Sequence, residues 1–156
     1  MQTKSADQTL PGGDLRTNPA GKLTLSELQE FMKQIPFNEL LGLRVAELHA
    51  DGLTIECDFR PDLRNGFGTL HGGVTATLAD VAAGIATSYM AGSPRSATTV
   101  DMKVNYLRPV TEGRISARAV VLRFGSTLSV CRVDLNDEQD RLFAAAMVTY
   151  LILKPE

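Results

Sequence analysis

From Val100 to Leu153 the chain runs in a period of two residues broken only by turns, and this run follows one long helical segment instead of alternating with several. Val100, Met102, Val104 and Tyr106 alternate with Asp101, Lys103 and Asn105 until Pro109 stops the strand. Ile115, Ala117, Ala119 and Val121 mark a second strand, turned at Phe124-Gly125-Ser126. Ser129, Cys131, Val133 and Leu135 mark a third, turned at Asn136–Asp140, and Phe143–Leu153 forms a fourth. Four strands in succession leave no place for parallel crossovers, so the sheet is expected to be antiparallel.

The upstream half supplies what that sheet must cover. Thr24-Leu25-Ser26-Glu27 matches a capping box, and Leu28, Phe31, Met32 and Ile35 follow on one helical face, which Pro36 is expected to end. Leu43–Leu48 reads as a short strand. Leu53, Ile55, Cys57 and Phe59 alternate with polar residues in another, with Asp51-Gly52 as the hairpin turn between them. Val74–Ala91 is the long helix, its core stripe formed by Val74, Leu78, Val81, Ile85 and Tyr89. The order helix, two strands, long helix, four strands predicts an α+β fold in which one antiparallel sheet wraps one helix. Residues 1–23, polar and rich in Gly, Pro, Asp, Thr and Asn, are expected to be a disordered leader, and 24–156 a single domain.

Several functions are set aside by what the chain lacks. A net charge of -2 with interspersed signs offers no basic field for nucleic acid. The alanine-rich stretch Val74–Ala91 is interrupted by Asp80 and threonines, so no membrane span is expected. Gly66-x-Gly68 leads to His71 with no apolar strand before it, which fails the context of a dinucleotide fingerprint. Gly125-Ser126 is no nucleophile elbow. His49 and His71 are the only histidines, and Cys57 and Cys131 show no paired spacing, so neither a metal nor a cofactor is expected. Both cysteines fall in alternating strands and read as buried reduced thiols, which suits the cytoplasm.

Chemistry is concentrated at the start of the long helix. Gly72 and Gly73 open it, although each glycine costs a helix about 1 kcal/mol against alanine, so bare backbone is needed there. Free N–H groups and the positive end of the helix dipole make such a start a seat for a carbonyl oxygen or an anion. Asp80 follows two turns on, off the core stripe and expected to be buried, sharing a face with Thr77, Gly84 and Thr87. That lane of small side chains suits either a slender ligand or close packing of another element. A carboxylate, an amide, a histidine and backbone N–H groups suffice to hydrolyse a thioester. Gly72 N–H would polarise the carbonyl, and Asp80 would attack it or activate water.

Asn65-x-x-Gly68-x-x-His71-Gly72-Gly73, Leu78-Ala79-Asp80, Thr99-Val100-Asp101-Met102 and Tyr106-Leu107-Arg108-Pro109 together resemble the PaaI-type thioesterases of the hotdog-fold superfamily over about residues 36–154. The resemblance implies a long antiparallel sheet curled around a central helix. It also implies a homodimer paired edge to edge, doubling to a homotetramer, with active sites between subunits. Asn65, His71 and Gly72 would come from one chain and Asp80 with Thr99 from its partner. Asn65 and His71 would orient carbonyl and water, and Thr99 would hold the acid. Thr99 lies on the side opposite Val100, Met102 and Tyr106 unless a bulge intervenes.

Gly73, Phe67 and Gly84 are further candidates for substrate contact, Arg108 and Arg123 for coenzyme A phosphates, and Phe67, Ala83 and Tyr89 for shaping the pocket. The implied substrate is an aryl- or medium-chain acyl-CoA, with coenzyme A entering only as part of it. A non-catalytic acyl-CoA-binding module and a hotdog hydratase or dehydratase are the rival readings. An acid eight residues after Gly72 favours hydrolysis over hydration, and a binding module has no need of Asp80. Gly72 and Asp80 stand about 12 Å apart along one helix at 1.5 Å per residue, so only a partner's Asp80 can meet the carbonyl that Gly72 holds.

Overall fold

The capping box forms as expected: Thr24 Oγ1 accepts the Glu27 N–H at 3.3 Å and the Glu27 carboxylate accepts the Thr24 N–H at 2.7 Å. It starts α1 (Leu25–Lys33) in the computed structural model, which describes residues 23–92 and 97–153. The expected leader therefore lies outside the described residues, apart from Leu23.

Pro36 does not simply end α1. It takes the first position of a second short helix, α2 (Pro36–Leu41), where its missing N–H costs nothing, and Gly42 in the left-handed region closes that helix. Then come β1 (Arg44–His49), β2 (Gly52–Asp58), a 3-10 turn at Pro61–Leu63 and α3 (Gly72–Ala91). The remaining strands are β3 (Ala97–Tyr106), β4 (Arg114–Phe124), β5 (Leu128–Asn136) and β6 (Leu142–Ile152). The first hairpin turns on Ala50-Asp51, one residue earlier than expected, because Gly52 already pairs with His49.

All six strands form one antiparallel sheet in the order β1-β2-β4-β5-β6-β3. α3 packs against β2, β3, β4, β5 and β6, so this long helix is the centre of the domain. Its buried face differs from the expected stripe: Leu78, Ile85 and Tyr89 are buried, whereas Val74 and Val81 are only partly so. Ala79, Ala82, Ala83 and Ala86 fill the gap, since small side chains let the concave sheet approach the helix closely. Cys57 and Cys131 are free, buried thiols, as expected, and burial pushes both above the usual thiol range.

β3 is the exception to this coverage. It sits at the sheet edge and is exposed along nearly its whole length, with Val100 at 52% and Tyr106 at 57% of full exposure. Among the described residues, no helix is long and apolar enough to cross a membrane.

Candidate active site

The loop before α3 is built by Asn65. Its Oδ1 accepts the N–H groups of Phe67 (2.9 Å) and Thr69 (3.2 Å), and its Nδ2 donates to Thr69 Oγ1 at 2.9 Å. This is the Asx geometry that short polar side chains adopt in tight turns, and Gly68 at φ 79° completes it. Most of the Asn65 side chain is thus spent on the loop, leaving one Nδ2 hydrogen for anything outside it.

His71 follows as the N-cap of α3, its Nδ1 accepting the Gly73 N–H at 2.9 Å. With Nδ1 occupied as acceptor, the neutral ring carries its proton on Nε2 and presents a donor at an exposed position. Gly73 is committed to that cap. Gly72 is not: among the described residues no acceptor takes its N–H, while its carbonyl accepts the Tyr106 hydroxyl at 3.1 Å. The nearest atoms to a Cβ at Gly72 would be those of Tyr106, at an ordinary 3.4 Å or more, so crowding among the described residues does not explain the bare backbone. A cavity of about 360 Å³ lies here, lined by Asn65, Thr69, Gly72, Tyr106 and Arg108 among others. Arg108 also donates to the Leu142 carbonyl at 2.9 Å.

Asp80 is held by the sheet. It is half-buried rather than buried, and its Oδ1 accepts two hydrogen bonds, from Thr99 Oγ1 at 2.8 Å and Tyr150 Oη at 2.9 Å. Oδ2 has no partner among the described residues. Thr99 reaches the acid through a β-bulge between Thr99 and Asp101. Val100 is the extra residue, so Thr99 pairs with Tyr150 and joins Met102, Val104 and Tyr106 on the helix-facing side.

Tyr150 was not among the candidates drawn from sequence. Burial pushes its phenol far above the ordinary value, the Thr99 contact pulls the other way, and the neighbouring Asp80 charge adds to the rise, so it remains a donor. Its Oη also reaches the Asp80 main-chain carbonyl at 2.8 Å. Gly84 makes room for it: a Cβ there would stand 2.7 Å from Tyr150 Oη. The signal in the sequence was a lone tyrosine among the apolar residues of β6, which needed a polar partner for its hydroxyl.

Other candidates lie elsewhere. Thr87 leaves the expected lane, being buried against the sheet and bonded to Ser129 Oγ at 2.8 Å. Ala83 and Tyr89 are buried in the core. Phe67 stands at the loop tip, 94% exposed, and Arg123 lines a separate cleft at the β4–β5 turn. The structure thus brings together two groups: Asn65, His71 and Gly72 at the start of α3, and Asp80, Thr99 and Tyr150 two turns on.

A six-stranded antiparallel sheet closed on one glycine-opened helix, with a carboxylate held by the sheet two turns along, defines a hotdog domain of the thioesterase kind. The chain belongs to the thioesterase superfamily, whose family description matches residues 67–144. The medium/long-chain acyl-CoA thioesterase YigI of Salmonella typhimurium is 30% identical over 137 residues, spanning 78% of this chain and 88% of that protein. Among solved structures, thioesterase HI1161 of Haemophilus influenzae superposes with a TM-score of 0.78 at 25% identity, covering 85% of this chain and 92% of that one. Zebrafish thioesterase superfamily member 2 superposes with a TM-score of 0.75 at 28% identity, covering 84% and 99%.

Proposed function

We propose that this protein is an acyl-CoA thioesterase of the PaaI type that hydrolyses an aryl- or medium-chain acyl-CoA to the free acid and coenzyme A. The observation that carries the reading is the Asp80 carboxylate, one oxygen fixed by two donors and the other open. A thioester carbonyl bound to Gly72 N–H is polarised toward the oxyanion, and Asp80 Oδ2 either attacks its carbon or takes a proton from the attacking water. The C–S bond breaks, coenzyme A leaves as the thiolate, and the water oxygen ends in the acid. Hydrolysis by these groups needs no metal or cofactor.

Within one chain the two halves of this machinery stand about 12 Å apart along α3. The site is therefore shared: Asn65, His71 and Gly72 of one subunit face Asp80, Thr99 and Tyr150 of its partner. The uncovered edge strand β3 supports this assembly, since exposed edges are paired or blunted in stable proteins. A homotetramer arises when two such dimers associate. Arg108, at the mouth of the cavity beside Gly72, suits a coenzyme A phosphate, and the reduced thiols suit a cytoplasmic setting.

The deciding experiment is thiol release from a panel of aryl- and straight-chain acyl-CoA thioesters. Turnover of at least one is expected. Binding without thiol release would instead make the protein an acyl-CoA-binding module, and hydration of a 2-enoyl-CoA added to the panel, without thiol release, would make it a hydratase. Tyr150→Phe keeps the ring and removes one donor from Asp80. It is expected to lower kcat about tenfold, the equivalent of one hydrogen bond to a charged group, while KM stays within a factor of about two. An equal loss in kcat and rise in KM would point to general disorder of the site instead.

A further inference from the structure

Tyr106 meets the first turn of α3 from the edge strand. Its Oη donates to the Gly72 carbonyl at 3.1 Å, and its ring lies over the glycine, 3.4 Å from where a Cβ would stand. We propose that Tyr106 is a positioning residue for hydrolysis, holding this turn so that the free Gly72 N–H is aimed at the thioester carbonyl. The inference rests on the thioesterase reading above and adds to it a residue that acts through Gly72 and not on the reacting atoms.

The first argument is the softness of the turn. Two glycines in succession leave the backbone freer than any other pair, whereas an oxyanion donor works by pointing in advance at the place where charge develops. The peptide from His71 to Gly72 is held by its carbonyl, which accepts the N–H groups of Val74 at 2.9 Å and Thr75 at 3.3 Å, and its own N–H is the donor left free. The next peptide, from Gly72 to Gly73, is held at both ends, its N–H by His71 Nδ1 at 2.9 Å and its carbonyl by Tyr106. A helical carbonyl spends one lone pair on its own helix, and Tyr106 takes the second. His71 belongs to the turn and moves with it. Tyr106 ties the turn to the sheet, since it pairs with Ala144 of β6.

The second argument is that the bond is made where stability does not call for it. Tyr106 is more than half exposed, so water would serve its hydroxyl as well as a helix carbonyl does. What the bond supplies is direction. The same strand carries Thr99 on the same helix-facing side, where it holds Asp80 at 2.8 Å. β3 thus grips α3 at both functional points, Gly72 through Tyr106 and Asp80 through Thr99. A donor that loses its aim costs rate and not substrate affinity, because its contact tightens only as the oxyanion forms.

Tyr106→Phe keeps the ring and removes the hydroxyl. It is expected to lower kcat about tenfold with KM within a factor of about two, and to leave the pH profile of kcat in place, because Asp80 and its donors are untouched. Two kinds of analogue of octanoyl-CoA and phenylacetyl-CoA separate aim from general disorder. A trifluoromethyl ketone, whose carbonyl adds water or a carboxylate to give an oxyanion-like adduct, is expected to bind the variant about tenfold more weakly than wild type, while a thioether that has no carbonyl binds both alike. Hydrogen exchange of the Gly73 amide, read by NMR on glycine-labelled protein, follows the hold without ligand or turnover. It is expected to quicken about tenfold in the variant, with Gly84 in mid-helix unchanged. A rate within twofold of wild type, or equal weakening of both analogues, overturns the assignment even if every thioester is hydrolysed. If wild type releases no thiol, the thioesterase reading falls, and Gly73 exchange then decides whether Tyr106 holds the turn: quickened if it does, unchanged if it does not.

Discussion

Asp80→Asn is expected to lower kcat for thioester hydrolysis by on the order of 10²–10⁴-fold, the range that a positioned acid–base group supplies. The substitution is close to isosteric. The oxygen of the new amide still accepts from Thr99 and Tyr150, so the strands that hold the side chain keep their grip. Only the open oxygen is replaced, by an amide nitrogen that neither attacks a carbonyl nor accepts a proton. KM is expected to move little, because the loss falls on the transition state. The measurement is thiol release across the acyl-CoA panel, with far-UV circular dichroism as the control for folding. A variant within threefold of wild type would remove Asp80 from the mechanism.

Val100→Asp combined with Met102→Asp is expected to convert the proposed dimer to a monomer and to reduce hydrolysis at least a hundredfold. Both residues are exposed on the edge strand, Val100 at 52% and Met102 at 37%, and circular dichroism checks that the charge on the helix-facing side at Met102 leaves the fold intact. In the proposed edge-to-edge dimer the added charges stand along the pairing edge, a device by which natural proteins keep edges apart. Size by light scattering and rate by thiol release are read on the same preparation. A folded monomer with full activity contradicts the shared site, and the roles of Gly72 and Asp80 would then need a path across one helix.

The sheet and its helix were legible because strands that bury one face alternate strictly, as Ile115–Val121 and Ser129–Leu135 do. α2 was not, because Pro36 is equally good at stopping one helix and starting the next, and only Gly42 six residues on decides between them. The lane on α3 was half right: helical geometry placed Gly84 beside Asp80, but the angle at which the sheet packs on the helix sends Thr87 inward to Ser129. Thr99 depended on one inserted residue, since a bulge reverses the facing of everything on one side of it and leaves no signature in the alternation itself. Tyr150 was hidden for another reason. It lies some seventy residues after Asp80, and sequence spacing says nothing about a contact made across strands of one sheet.

The strand order has a consequence for synthesis. β3 finds no partner in β4 or β5; its place is beside β6, some forty residues later in the chain. Until Leu142–Ile152 has left the ribosome, β3 has no neighbour to lie against, and Thr99 cannot be carried to Asp80. A nascent chain can zip β1, β2, β4 and β5 as they emerge, but β3 is not yet seated and the Thr99 contact to Asp80 is not yet made. Long-range pairing of this kind is slow and exposes unpaired strand meanwhile. The last strand made is thus the one that seats β3 and, through it, brings Thr99 to Asp80.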